Sequence, residues 1–182
     1  MISDFVKGKA KFSYPSGIQH GITLHRFIDA FTDGHAATKA AKEVFRPHYR
    51  LYSGALVDVV YDHFLATDTR EFSDSALSEF SLYTYSVLEE HSALLPERFA
   101  RMFPYMTQHN WLYNYRTRWG TERSLEGLVR RAAYLTDSHT AFLLFEQHYQ
   151  LLQDCFRHFW AEAKPCAEAQ LYMITRGADE NT

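Results

Sequence analysis

Cysteine is scarce in this chain: only Cys155 and Cys166 occur among 182 residues. They lie about three helical turns apart on a helical reading, which predicts reduced thiols and excludes a disulfide framework. Long apolar runs are missing as well. No stretch approaches the ~20 consecutive apolar residues of a membrane span. The N-terminus, with Asp4, Lys7 and Lys9 around a short apolar run, lacks the core of a secretory signal. No membrane partner and a cytoplasmic location are therefore expected. There is no glycine-rich phosphate loop, no internal repeat and no strand-like alternation, which argues against P-loop chemistry, solenoids and sheets. A nucleic-acid reading motif is also absent, and a net charge of −3 argues against nucleic acid as a partner.

What is present is an aromatic-rich chain, 46% hydrophobic and 16% aromatic, long enough for one ordinary core. The expected organisation is all-α, a single-domain helical bundle over residues 1–177 with a polar tail at 178–182. The most informative stretch is residues 54–65. On a helix, Leu56, Val57, Val59, Val60, Tyr61 and Phe64 cover most of the circumference and leave one sector for Asp58 and Asp62. A helix apolar nearly all round lies inside a domain, so both carboxylates are expected to be buried. A cation, metal or donor network must then compensate them.

The expected counterpart is a helix from about Ile18 to Thr32. Its His25 and Asp29 are four residues apart and stack on one face, with Asp33 a further turn along. Packed against the first helix, it would bring His25, Asp29, Asp58, Asp62 and His63 together, an imidazole and carboxylate set suited to a divalent metal. His63 projects about 100° from Asp62, and its pattern fits a hydrogen-bonded core histidine equally well.

The remaining helices are expected over 36–46, with Lys39 and Lys42 exposed, over 47–67, from a cap at Ser73 or Asp74 to about His91, after Pro96, over 122–135, over 139–163, and from Pro165 to about Arg176. Asn110 to Tyr115 forms an aromatic cluster that either packs in the core or walls a pocket. Charge is uneven: residues 1–50 hold eight basic against four acidic side chains, and residues 51–182 hold eleven against eighteen. A locally basic N-terminal part suits an acidic partner.

Three ordered runs carry a family resemblance. They are Asp4-Phe5-Val6-Lys7-Gly8, Gly21-Ile22-x-Leu24-His25-Arg26-x-Ile28-Asp29-x-Phe31-Thr32-Asp33, and Asp58-x-x-Tyr61-Asp62-His63-Phe64-Leu65. Phe45-Arg46, Tyr49-Arg50-Leu51-Tyr52-Ser53-Gly54 and Asn110-Trp111-Leu112-x-x-Tyr115 support them. Together they resemble the acyl carrier protein phosphodiesterase family, divergent relatives of the all-helical HD phosphohydrolases. The resemblance implies an HD-phosphohydrolase-like bundle that hydrolyses the phosphodiester joining 4′-phosphopantetheine to a serine of acyl carrier protein. It also implies a divalent metal, usually Mn²⁺, with Mg²⁺ or Fe²⁺ as alternatives.

Carried over by position, the resemblance implicates Asp4, His25, Asp29, Asp58, Asp62 and His63 in metal binding. Asp62 is the central catalytic residue, and Arg26 or Lys7 are the candidates to stabilise charge on phosphate oxygens. Lys39, Lys42 and Arg46 are the expected contacts for the acidic carrier protein. The order Asp62-His63 reverses the usual His-Asp doublet, so the HD ligand pattern does not transfer directly. Family members carry a longer lead-in with an early histidine, whereas Asp4 follows Met1 by three residues. The expectation is a misplaced start or a shortened, impaired variant. Two further classes stay open: a phosphohydrolase of a small phosphodiester or nucleotide, and a catalytically impaired helical interaction protein.

Overall fold

The apolar stretch after residue 53 forms the enclosed helix that its composition predicts. The computed structural model describes residues 2–132, 135 and 137–179, and among these every regular element is helical. Short 3-10 turns at Ser3–Phe5 and Gly8–Ser13 lead into α1 (Ser16–Gly34), α2 (Ala36–Tyr49) and α3 (Ser53–Thr67). Then come α4 (Asp74–Glu90), α5 (Glu97–Gln108), the single turn α6 (Trp111–Asn114), α7 (Arg118–Arg131), α8 (His139–Gln147) and α9 (Tyr149–Asp179). The chain is all-α. No described helix is long and apolar enough to cross a membrane.

Two apolar clusters organise the helices. The main one joins Phe45 of α2, Leu56, Val60 and Phe64 of α3, Leu125 of α7, Phe145 of α8, and Leu152 and Phe156 of α9. Each such side chain, fully enclosed, stabilises the fold by about 1.5–3 kcal/mol. The smaller cluster gathers Tyr85 of α4 with Phe99, Phe103 and Met106 of α5, and Phe5 of the N-terminal turn packs on it. The Phe5 and Phe99 rings meet edge-on, with centroids 5.6 Å apart. This contact pins the segment carrying Asp4. α1 packs chiefly on α9, while α3 packs on α2, α7 and α9. The direct α1 to α3 packing expected from the pattern is replaced by shared support from α2 and α9.

Several boundaries differ from expectation. The helix expected over 47–67 is two elements, because the backbone breaks at Arg50 with φ 46° and ψ −116°, a conformation that non-glycine residues adopt only under constraint. Pro47 sits inside α2, at an exposed position. The helix expected over 139–163 breaks at His148, whereas α9 runs straight past Pro165. Pro165 is exposed, so water can satisfy the carbonyl one turn before it. Of the tail expected at 178–182, the helix includes residues 178 and 179, and 180–182 lie outside the described residues. Cys155 and Cys166 are free thiols.

Gly120 sits within α7, which starts four residues before the expected position of 122. Thr117 caps this helix by accepting a hydrogen bond from the Gly120 amide at 2.9 Å. The tight cap brings the Asn114 carbonyl into the space a Cβ at Gly120 would occupy. Gly120→Ala should therefore lower stability by about 1–3 kcal/mol, the usual cost of overpacking. Gly21, an exposed residue inside α1 with open space around it, should behave oppositely. Gly21→Ala should raise stability by about 0.5–1 kcal/mol. Urea denaturation of both variants checks the pair, and equal effects would contradict the close approach at Gly120.

Candidate metal centre

One face of α1 carries the first half of the site. The Nδ1 atom of His25 lies 2.9 Å from Asp29 Oδ2, within hydrogen-bond distance, and its Nε2 lies 3.9 Å from Asp4 Oδ1. One ligand atom from each of Asp4, His25 and Asp29 falls within 4.8 Å of the others. The α1 pair follows from helical spacing. Asp4 reaches it from 21 residues before His25 because its segment is tied at two points: Phe5 anchors in the smaller core, and Arg26 donates to the carbonyls of Val6 at 2.6 Å and Gly8 at 3.4 Å. Arg26 is thereby a positioning residue for Asp4. Its guanidinium is committed to backbone, which argues against the expected role on phosphate oxygens.

α3 supplies the second half. Asp58 and Asp62 share the single polar sector of this helix, but both are solvent-exposed, not buried as expected. Water reaches them, yet surrounding protein displaces enough solvent to shift both. Asp58 is pushed up to about 6, first by this crowding, then by the charge of Asp33 and more weakly by Asp29 and Asp4, with Lys42 opposing. Asp62 is pushed up to about 7, first by crowding and then by the charge on Asp58, with the Tyr115 phenol easing it. Exposure combined with desolvation marks the floor of a water-filled recess. The charges that raise Asp58 come from Asp33, Asp29 and Asp4, which therefore lie on its side of the molecule, although among the described residues only Asp4, His25 and Asp29 bring ligand atoms within 4.8 Å of one another. An acidic, concave site with one imidazole fits a divalent cation.

Lys42 also belongs here. Its ammonium is 2.7 Å from Asp33 Oδ1, and only 16% of its side chain is exposed. It therefore stands at the edge of the recess rather than on an open outer face. Lys39 and Arg46 are exposed on α2, the latter 2.9 Å from Glu43. Lys7 is exposed just beyond Asp4.

The model of the family described as acyl carrier protein phosphodiesterase matches residues 1–163. The chain belongs to this family. It is similar to the acyl carrier protein phosphodiesterase of Enterobacter sp. strain 638, with 32% identity over 88% of this chain and 83% of the relative. The Klebsiella pneumoniae relative of the same name shares 32% identity over 92% of this chain and 88% of its own length, and the Yersinia pestis one 32% over 88% and 83%. These relatives are named as phosphodiesterases, so the family is one of hydrolases acting on phosphodiester bonds. No solved structure matches the chain.

His63, the remaining member of the expected ligand set, is placed elsewhere. It is 2% exposed. Its Nδ1 donates to the Tyr115 carbonyl at 2.7 Å, since a carbonyl only accepts, which leaves Nε2 to accept from the Tyr149 hydroxyl at 3.1 Å. Burial, aided by the nearby Arg118 charge and opposed by the Tyr115 bond, holds it down to about 4. It is a neutral core histidine with both nitrogens occupied. The signal was present in its position among apolar residues. Asp33 and Lys42, by contrast, entered the site through a contact across the α1 to α2 turn that no single-helix pattern displays.

The pH dependence of Asp62 can be worked out directly. Its folded pKa near 7 lies above the ordinary carboxylate value, so proton uptake stabilises the fold as pH falls from about 7 towards 4. Metal-free Asp62→Asn should accordingly be more stable than wild type at pH 8, on the order of 1 kcal/mol after discounting for solvent screening. That advantage should shrink as pH falls below 7 and vanish below about pH 4, where Asp62 is neutral in both folded and unfolded wild type. A purely architectural Asp62 would instead make the amide less stable, by about 1–3 kcal/mol at every pH. Thermal unfolding of both proteins across this range separates the two.

Proposed function

We propose that this protein is a metal-dependent acyl carrier protein phosphodiesterase, hydrolysing holo acyl carrier protein to its apo form and 4′-phosphopantetheine. The observation that carries the reading is the convergence of Asp4, His25 and Asp29 within 4.8 Å, close enough for both carboxylates to act on Asp58 of α3. Family membership supplies the substrate class, and the kinship to HD-type phosphohydrolases implied by the motifs belongs to the same proposal.

Asp4, His25 and Asp29 would hold a divalent ion, with Asp58 and Asp62 offering further carboxylates. The oxygen-rich donor set with one imidazole favours Mn²⁺, Mg²⁺ or Fe²⁺. Such an ion supplies Lewis acidity towards a phosphoryl oxygen and towards water. The chain's own residues do the rest. Asp62, poised near neutrality, can hold a proton at its carboxylate as water adds to phosphorus. Lys42 stands close enough to the recess to balance charge that develops on phosphate oxygens, and Lys7 is a second candidate from the Asp4 side. His63 orders the floor through Tyr115. Lys39 and Arg46, on the outer face of α2, provide positive charge for docking an acidic carrier protein.

Protein reconstituted with Mn²⁺ should retain about one or two ions per chain, a stoichiometry consistent with five carboxylates and one imidazole. Asp29→Asn and His25→Ala should lose both the metal and, by orders of magnitude, the release of 4′-phosphopantetheine from holo acyl carrier protein. Elemental analysis paired with product chromatography makes the check. Fully active, metal-free wild type would overturn the proposal, and turnover of only a small phosphodiester would favour the small-molecule alternative.

Docking has its own signature. kcat/KM on holo acyl carrier protein should fall steeply with ionic strength, because exposed charges more than ~10 Å apart are largely screened at 0.1 M salt. Lys39→Glu should raise KM more than it alters kcat. A salt-independent rate with unchanged KM would remove α2 from the docking surface.

A further inference from the structure

A second cavity adjoins the acidic recess. It has a volume of about 240 Å³ and is lined by Val59 of α3, Trp111 and Tyr115 around α6, and Trp119, Ser124 and Arg131 of α7. Val59 stands one helical turn from Asp62 on α3. Tyr115 is the wall shared by the two spaces. Its carbonyl is tied to His63, the neighbour of Asp62, at 2.7 Å. Its phenol is pushed up by burial and then by the Asp62 charge, with Ser124 and the Arg131 charge opposing. On α7 the cavity is lined by Gly120, Ser124, Gly127 and Arg131, one face of a helix, and from its flanks by Trp119, Arg123 and Arg130. The first three are too small to fill it.

We propose that this cavity between α3, α6 and α7 receives the pantetheine arm of the substrate, so that a phosphate in the acidic recess is continued past Tyr115 by the arm that leaves with it. The inference rests on the phosphodiesterase reading and adds the subsite that selects its substrate. Three features favour this occupant. The cavity shares Tyr115, whose phenol acts on the Asp62 carboxylate, and Val59, one helical turn from Asp62, so it lies next to the place where a substituent of the reacting phosphate must go. Its volume lies below the ~300–1,000 Å³ usual for drug-sized ligands, which favours a slender arm over a nucleoside. Its lining offers both kinds of contact the arm needs: Val59 and the two indoles give apolar surface for the geminal dimethyl group, and the guanidiniums of Arg123, Arg130 and Arg131 give donors to amide carbonyls and to the phosphate end. Arg131, desolvated enough that its pKa is lowered, gains from an acceptor there.

The test measures binding of 4′-phosphopantetheine and of inorganic phosphate, each alone, to Mn²⁺-loaded full-length protein by calorimetry. Wild type should bind 4′-phosphopantetheine at least tenfold more tightly than phosphate. Trp119→Ala, at a side chain that is 54% exposed and so outside the core, and Arg131→Gln should each shrink that ratio at least fivefold. Equal affinities in wild type, or no binding of either ligand, would overturn the proposal. So would a ratio that survives both substitutions in folded protein. If a variant fails to fold, the wild-type ratio still decides. Arm-selective binding without hydrolysis of holo acyl carrier protein would sustain the subsite and overturn the phosphodiesterase reading, whereas hydrolysis without arm selectivity would do the reverse.

Discussion

Like charge brought together without enough counter-charge is the constraint on which the rest of this structure depends. Asp4, Asp29 and Asp33 act on Asp58, and Asp58 acts on Asp62, so the lift of Asp58 to about 6 and of Asp62 to about 7 records desolvation first and repulsion second. A chain free to relax would move such groups apart. Here the scaffold prevents it. α3 is held on three sides by α2, α7 and α9, and α1 is held by α9. The N-terminal turn is clamped by Arg26 at Val6 and Gly8 and by Phe5 in the smaller core. Core burial thus provides the free energy that keeps carboxylates crowded, and a cation is the species that relieves the crowding.

How far the sequence discloses this arrangement depends on the range of the interaction. Helical periodicity is local, so the apolar circumference of α3 and the His25 and Asp29 pair were both legible, and Leu56, Val57, Val60 and Phe64 are indeed buried. Periodicity gives an angle on a helix but not what lies opposite it. The same pattern therefore suggested buried aspartates and a direct packing of α1 on α3. In the structure the polar sector of α3 opens onto water, because neighbouring helices cover its other sides. Boundaries failed where backbone conformation overrode residue preference. Arg50 takes a positive φ without being glycine, and Pro165 is carried inside α9 because its site faces solvent.

Of the two cationic side chains expected in the chemistry, Arg26 exchanges importance with Lys42, which is expected in docking. Arg26 looked placed for phosphate because it neighbours His25 in sequence, but adjacent helical residues point about 100° apart. Its guanidinium turns to the backbone of the N-terminal segment, and that is how Asp4 arrives beside His25. Lys42 looked like a surface charge, yet the turn between α1 and α2 folds it back onto Asp33. Both outcomes follow from long side chains reaching partners that sequence distance conceals.

The same electrostatics bear on substrate choice. A recess lined by five carboxylates repels a phosphodiester, and repels the acidic surface of a carrier protein still more. On the proposed reading the recess becomes attractive only when divalent charge is held between Asp4, His25 and Asp29, so metal loading would govern binding as well as reactivity. The positive charges on the outer face of α2 then act at longer range, orienting the partner before its phosphate meets the recess. Discrimination among phosphodiesters has to come from what is attached to phosphorus, since the recess itself recognises only charge. That places the burden on the aromatic and basic surface beyond Tyr115, which acts on Asp62 on one side and on the other lines a cavity with two indoles and three guanidiniums.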